Sequence, residues 1–464
     1  MRIISLVLAA LLAASAITAQ TAKRPMTFED MMHMKRLGDT AVSPDGKWLS
    51  YSVTTVDLEK NTKTPELWLQ AIAGGEPVKL AVAQSGDSGI EFSSDGHSIL
   101  FLSGRENGQQ VWLAEFDASS GTTSNPRKLT ALSTEADNAK WSPDGKSILF
   151  TSSVYPDCPA ISPADGGAGD RCNGERDKAK SESKVKAQIF THLMYRHWNH
   201  FTGDKRSHLF LVAVDSGKIR DLTPNNPHDV PTDYPTDPLG CGCAFAPDSK
   251  EIAFTEKDVP EEAVSTNADI FTLDISGAMS ASELPKPVKV STAPGGDMNP
   301  AYSPDGKYLA WRSQARAGYE GDKFRLALYD RGAKTIKYLL PEFQNWVDEF
   351  AWAPDSKRIV FASGSKGEAP IFVVNADGTH SEIPHALVSK AEFSGLHMLA
   401  GGKTLLATAM TVQAPSEVVK LDYSWQVDSE RGYDIVINHS ETNISRVTHL
   451  NEALLAELDL PKME

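Results

Sequence analysis

One five-residue phrase recurs along this chain, and its spacing restricts the fold more than any other feature. Six near-copies read Ser43-Pro44-Asp45-Gly46-Lys47, Ser93-Ser94-Asp95-Gly96-His97, Ser142-Pro143-Asp144-Gly145-Lys146, Ala246-Pro247-Asp248-Ser249-Lys250, Ser303-Pro304-Asp305-Gly306-Lys307 and Ala353-Pro354-Asp355-Ser356-Lys357. They start close to fifty residues apart, except the third and fourth, which stand about twice as far apart. A period of about 50 residues marks a repeat architecture in which each copy is one supersecondary unit. Pro presets φ, Asp bonds back to the backbone and Gly accepts positive φ, so each phrase is a tight hairpin turn.

A short β-rich run follows every turn, as at residues 48–53, 99–102 and 359–361, and a second lies behind it, as at 67–69, 111–113 and 371–373. A worn seventh copy, Leu399-Ala400-Gly401-Gly402-Lys403, has both runs. Several units close with a polar strand such as Arg127-Lys128-Leu129-Thr130. Four short antiparallel strands per repeat predict an all-β chain, a seven-bladed β-propeller of four-stranded antiparallel blades over residues 40–451. The long interval holds a single second run, near Leu209, so it is one blade, the third, with a large insertion. That insertion, residues 156–187, is rich in Gly, Pro, Asp, Lys and Ser and reads as a surface excursion.

Residues 1–19 read as a secretory signal peptide: Met1-Arg2, an apolar run to Ala14, then small residues that allow cleavage after Ala16 or Ala19. Residues 20–39 form an N-terminal segment. The run is too short to span a membrane, which takes about 20 apolar residues. The expectation is a secreted or periplasmic protein without a membrane span. A net charge of −15 and no sustained basic stripe exclude nucleic acid as a partner. Four cysteines in an exported chain invite disulfides; Cys158 with Cys172 is the favoured pair, and Cys241 and Cys243 stay open.

No Gly-x-Ser-x-Gly elbow occurs, so no serine nucleophile can be assigned and no catalytic residue is expected. Gly166-Gly167-Ala168-Gly169 matches no nucleotide-binding spacing, and no cofactor is expected. The segment His192-Leu193-Met194-Tyr195-Arg196-His197-Trp198-Asn199-His200-Phe201 alternates histidines with aromatics. It offers no carboxylate or thiolate at a tight ligand spacing, so a packed or ligand-facing loop is expected rather than a metal site. Glu261-Glu262, just before Ser265-Thr266-Asn267, could hold a peptide's amino terminus through charge-assisted bonds.

Taken in order, Met26-Thr27-Phe28-Glu29-Asp30-Met31, Val154-Tyr155-Pro156-Asp157-Cys158, Arg196-His197-Trp198, Arg206-Ser207-His208-Leu209-Phe210, Ser265-Thr266-Asn267-Ala268-Asp269-Ile270-Phe271, Gln314-Ala315-Arg316-Ala317-Gly318-Tyr319 and Val347-Asp348-Glu349-Phe350 resemble the amino-terminal propeller of the prolyl oligopeptidase family of serine peptidases, over nearly the whole chain. In that family the propeller covers an α/β-hydrolase domain carrying the Ser-Asp-His triad and screens substrates for size. The resemblance implies a non-catalytic gating propeller whose partners are peptides or an α/β-hydrolase domain. It implies that Arg196, His197, Trp198, Glu261, Glu262 and Asn267 face the substrate, and that residues 452–464 are the remnant of a linker to a hydrolase domain absent from this chain. The alternative is a free-standing periplasmic Tol-like propeller, an interaction module with similar Pro-Asp-Gly repeats. Two further expectations concern the ends. The outer strand from Ile444 to Leu450 should close the ring beside the segment before Ser43, and the apolar tail from Ala453 should lack anything to bury against.

Overall fold

In the computed structural model, described for residues 23–461 apart from 107, 192, 198, 233–241, 380–384, 424, 429–432 and 438–442, seven four-stranded antiparallel sheets follow one another along the chain. Each is one propeller blade of four strands, lettered a to d in chain order; a two-stranded ribbon intervenes between b and c of the third blade and between c and d of the seventh. In the first blade these are Arg36–Val42, Trp48–Asp57, Thr62–Ala71 and Val78–Lys79, so the first strand opens ahead of residue 40. In the seventh they are Glu392–Met398, Thr404–Thr411, Ala414–Asp422 and Asn443–Arg446. The expected signal peptide lies outside the described residues. Among those described, no helix is long and apolar enough to cross a membrane.

The repeated phrase makes every a–b turn, and its residues are chosen by hydrogen bonding. Ser43 Oγ donates to Asp45 Oδ1 at 2.6 Å, Asp45 Oδ1 accepts from Lys47 N at 3.1 Å, and Ser43 Oγ accepts from Trp48 N at 2.9 Å. The same set recurs around Ser93, Ser142 and Ser303. The fourth position has positive φ, which suits Gly. Where Ser replaces it, Ser249 and Ser356 keep φ of 60° and 58°. The strain is offset, because Ser249 Oγ accepts from Asp144 N and Ser356 Oγ from Asp305 N, each at 3.0 Å, in the preceding blade's turn. At the other junctions a Cβ added at Gly96, Gly145, Gly306, Gly402 or Gly46 would lie within 4 Å of Pro44, Ser94, Pro247, Pro354 or Leu399, respectively. The seven turns therefore touch in a closed circuit.

The core lies between blades rather than at one centre. The residue before each turn is large and buried in Phe92, Trp141, Phe245, Tyr302 and Trp352. It reaches the preceding blade: Trp352 Nε1 donates to Ala301 O at 3.1 Å, and Tyr302 OH to Glu251 Oε1 at 2.7 Å. The residue one earlier is Ala41, Ala244, Ala301 or Ala351 in four blades, each packed into the cluster shared with the following blade. A bulky side chain against an alanine fills each such seam. Glu91, Lys140 and His397 hold that position in the other three blades.

The ring closes differently from the sequence expectation. Among the described residues no outer strand crosses from the last blade to the first, because each sheet draws its four strands from one stretch of the chain. Instead, Leu49, Tyr51 and Ile72 pack with Leu406, Val418 and Val447, and Gln70 Nε2 donates to Val447 O at 2.6 Å. Nor is the tail unburied. Helix α1 (Phe28–His33) follows a segment that bonds the C-terminal end of the chain: Arg24 N donates to Glu457 O at 3.0 Å and Asp459 N to Arg24 O at 2.7 Å, with Leu458 only 1% exposed.

The third-blade insertion is more ordered than its composition suggests. It holds a helix, α2 (Ala168–Glu182), tied by the Cys158–Cys172 disulfide with 5.8 Å between Cα atoms. The helix has no apolar stripe; Asn173, buried, accepts from Tyr155 N at 2.8 Å and donates to Gly169 O at 2.9 Å. Cys243 is also disulfide-bonded, and Cys241 lies outside the described residues. A third helix, α3 (Glu452–Glu457), ends the chain's regular structure.

Candidate functional site

Because strands alternate in direction, the a–b and c–d links lie at one end of the ring and the b–c and d–a links at the other. Both chain ends approach on the b–c side, since the chain enters strand a of the first blade and leaves strand d of the seventh there. The insertion and the loop carrying Glu261, Glu262 and Asn267 are b–c links too, of the third and fourth blades. The sequence candidates thus share one face, on two separate loops.

On the third-blade limb, Arg196 and His197 pair with Phe201 and His200 in a two-rung ladder. Phe190 stacks on Tyr195 and Phe201, with ring centroids 4.9 and 5.5 Å apart. Trp198 lies outside the described residues. Among the described residues no group of three His, Cys, Asp or Glu side chains could hold a metal.

On the fourth-blade loop, Glu261 is exposed and precedes a single 3₁₀ turn, Glu262–Val264, without a side-chain bond to it. Glu262 Oε1 accepts from His228 Nδ1 at 2.8 Å, and the Glu262 carbonyl accepts from Lys257 Nζ at 2.9 Å. Burial pushes the Lys257 amine down, against the pull of Glu262 and Glu320. Burial also pushes the Glu256 carboxyl up, against its bond from Asn226 Nδ2 at 2.8 Å. Asn267 is turned inward: Nδ2 donates to Asp269 Oδ2 at 2.9 Å, and Oδ1 is buried without a partner among the described residues. The neighbouring loop is tied on by Gly318 N, which donates to Thr266 Oγ1 at 2.9 Å, and presents an exposed Tyr319 beneath Arg316.

Asn226 and His228, which carry no motif, were not visible as site residues in the sequence. They lie in the d–a link of the third blade and meet the Glu262 loop only through the ring. Beneath them His208, 1% exposed, has Asp221 Oδ2 at 2.9 Å from Nδ1 and Asn226 O at 3.1 Å from Nε2. Both partners are acceptors, so the two bonds form together only on the protonated ring. Burial opposes that charge, but Asp221 outweighs it and raises the His208 pKa.

No protein-family model matches the chain. Dipeptidyl-peptidase 5 of Porphyromonas gingivalis is 26% identical over 433 residues, covering 91% of this chain and 58% of the relative. Dipeptidyl-peptidase 5 of Porphyromonas endodontalis is 26% identical over 418 residues, covering 87% and 55%. The chain thus spans little more than half the length of these relatives. Among solved structures, Pyrococcus horikoshii acylaminoacyl peptidase aligns with a TM-score of 0.60 at 12% identity, over 94% of this chain and 56% of that one. The β-propeller domain of the trilobed protease from Pyrococcus furiosus, described as having an open velcro topology, aligns with a TM-score of 0.53 at 11% identity, over 90% and 97%. The chain is therefore a β-propeller of the architecture found in these peptidases. Its homologues include dipeptidyl-peptidase 5 proteins, of the prolyl oligopeptidase family.

Proposed function

We propose that the chain is the substrate-gating and substrate-binding propeller of an exported prolyl oligopeptidase-family peptidase, and that its b–c face covers an α/β-hydrolase domain. In this reading the propeller is not itself catalytic, the leader at residues 1–19 sends it to the periplasm or the exterior, and residues 452–464 lead toward the hydrolase.

One observation carries the reading. Apart from Val78, Val288 and Ile444 on d strands, the exposed large hydrophobic side chains among the described residues lie on the b–c side: in the b–c and d–a loops, at strand ends beside them, or in the N-terminal segment. Ile189 is 90% exposed, Val264 75% and Val412 73%. Uncovered apolar area concentrated on one face marks an interaction site, and both chain ends are there.

The test is to fuse the chain to the segment of Porphyromonas gingivalis dipeptidyl-peptidase 5 that it does not match. Alone, the chain should turn over no dipeptidyl chromogenic substrate and take up no fluorophosphonate. The fusion should hydrolyse dipeptidyl substrates, and oxidative footprinting should find Phe201, Tyr319 and Trp346 protected. Stoichiometric fluorophosphonate labelling of the chain alone, or unchanged footprints in the fusion, would sink the reading.

A further inference from the structure

We propose that the N-terminal segment is a binding site for a soft monovalent metal ion, Cu(I) or its analogue Ag(I), held by the thioethers of Met26, Met31 and Met34. The site is independent of the gating reading above.

Met26, Met31, Met32 and Met34 crowd into one short stretch of a chain that has 11 methionines. Methionine is among the residues most often buried, yet Met26 is 48% exposed and Met31 43%. A purely apolar contact on this face would be served equally well by leucine, so the repeated thioether points to a role in which sulfur itself matters.

The start of helix α1 brings the sulfurs together. Thr27 is the N-cap and forms a full capping box with Asp30: Asp30 N donates to Thr27 Oγ1 at 3.3 Å, and Thr27 N donates to Asp30 Oδ2 at 2.8 Å. Met26 therefore holds the position before the cap and Met31 the fourth helical position, the two that meet across a helix start in a hydrophobic staple. Met34 N donates to Asp30 O at 3.0 Å and so keeps the helical path, and residues three apart are neighbours on a helix surface. Met31 thus stands between Met26 and Met34. Met32 and His33, one and two positions on, face away from it.

The frame is held from both sides. Arg24 Nη1 and Nη2 donate to Asp30 at 2.6 and 2.8 Å, Arg36 Nη1 donates to the Met34 carbonyl at 3.2 Å, and Lys35 N donates to Asn451 Oδ1 at 2.8 Å. A backbone fixed on each side of the three side chains keeps them near one another before any ligand arrives.

The donors select the ion. Thioethers are neutral, soft and polarizable, and soft ligands favour Cu(I) among the first-row metals. Asp30, the buried carboxylate of the helix, is taken up by Arg24 and Thr27. Zn(II), which draws on thiolate, imidazole and carboxylate, is poorly served there.

The test is calorimetric titration of the whole chain with Ag(I), joined to NMR of the chain labelled at its methionine methyl carbons. Wild type should take up a single Ag(I) and give no such step with Zn(II). The methyl signals of Met26, Met31 and Met34 should move, while that of Met410, 38% exposed in the seventh blade, stays in place. Met31→Leu nearly conserves volume, so it should keep the melting temperature and lose the one-to-one step. His33→Ala should bind like wild type. Absence of the step in wild type, its survival in Met31→Leu, or its loss in His33→Ala would each overturn the inference. Equal shifts at Met410 would mark adventitious thioether binding and overturn it as well.

Discussion

Lys35 and Asn451 hold one another as if they were paired strand residues: Lys35 N donates to Asn451 Oδ1 at 2.8 Å, and Asn451 Nδ2 donates to Lys35 O at 2.9 Å. One side-chain amide thus mimics a backbone rung between the two ends of the chain, adding to the backbone bridge of Arg24 with Leu458.

Asn451 is buried, so truncating it leaves two backbone groups of Lys35 without partners. Asn451→Ala should lower stability by about 0.5–1.5 kcal/mol for each hydrogen bond it removes. Chemical denaturation measures this, and an unchanged midpoint and slope would show that the amide does not fasten the ends.

Deleting residues 452–464 should lower the melting temperature, whereas the sequence suggested an apolar tail from Ala453 with nothing to bury against. Leu458 is 1% exposed, and burying a leucine is worth about 1.5–3 kcal/mol. The deletion also removes the backbone bonds to Arg24. A calorimetric scan that superimposes on wild type would refute this.

Glu91 lies in the seam between the second and third blades, accepting from Trp141 N at 2.6 Å. Burial pushes its carboxyl up to about 7 from an ordinary 4.5, against the pull of Lys140 and Trp141. The folded state then holds this proton longer than the unfolded one, so the group costs stability progressively as pH rises from about 4.5 to about 7. Glu91→Gln, which keeps an acceptor, should be more stable than wild type at pH 8 and lose that advantage near pH 4. Parallel stability curves for the two proteins would contradict it.

His397, across the seam between the seventh and first blades, bonds Thr40 Oγ1 at 2.9 Å, and burial pushes its pKa down to about 4 from 6.5. Here the unfolded state takes up the proton first, so stability is full above about pH 6.5 and falls as pH drops toward 4. His397→Gln should remove that part of the acid slope; denaturation midpoints at pH 7 and pH 4.5 suffice to check it.

The repeat architecture was legible because the a–b turn needs a fixed chemistry: Ser43 and Asp45 bond within the turn, and Gly46 takes φ of 68°. The Cys158–Cys172 pairing was legible from spacing. The inner strands were harder to read, since their bulges put Gly89, Asn138, Asn299 and Gly395 at positive φ and break any alternation. Helix α2 escaped notice because it is held by a disulfide and a buried Asn173 rather than by an apolar face. His228 and Asn226 join Glu262 only after the ring has brought two blades together, and nothing local marks them.

The circuit of turns gives the ring one edge fastened by a repeated chemistry. On that edge every blade abuts the next through the repeated phrase, including the seventh against the first through Leu399 and Gly46. At the opposite edge the first and last blades meet through side-chain bonds such as that of Asn451. That opposite edge is laced elsewhere by backbone bridges, Ala268 with Gly296 and Ala369 with Glu392. The two rims therefore differ in kind: one repeats a single chemistry from blade to blade, and the other is tied by a different bond at each of these junctions.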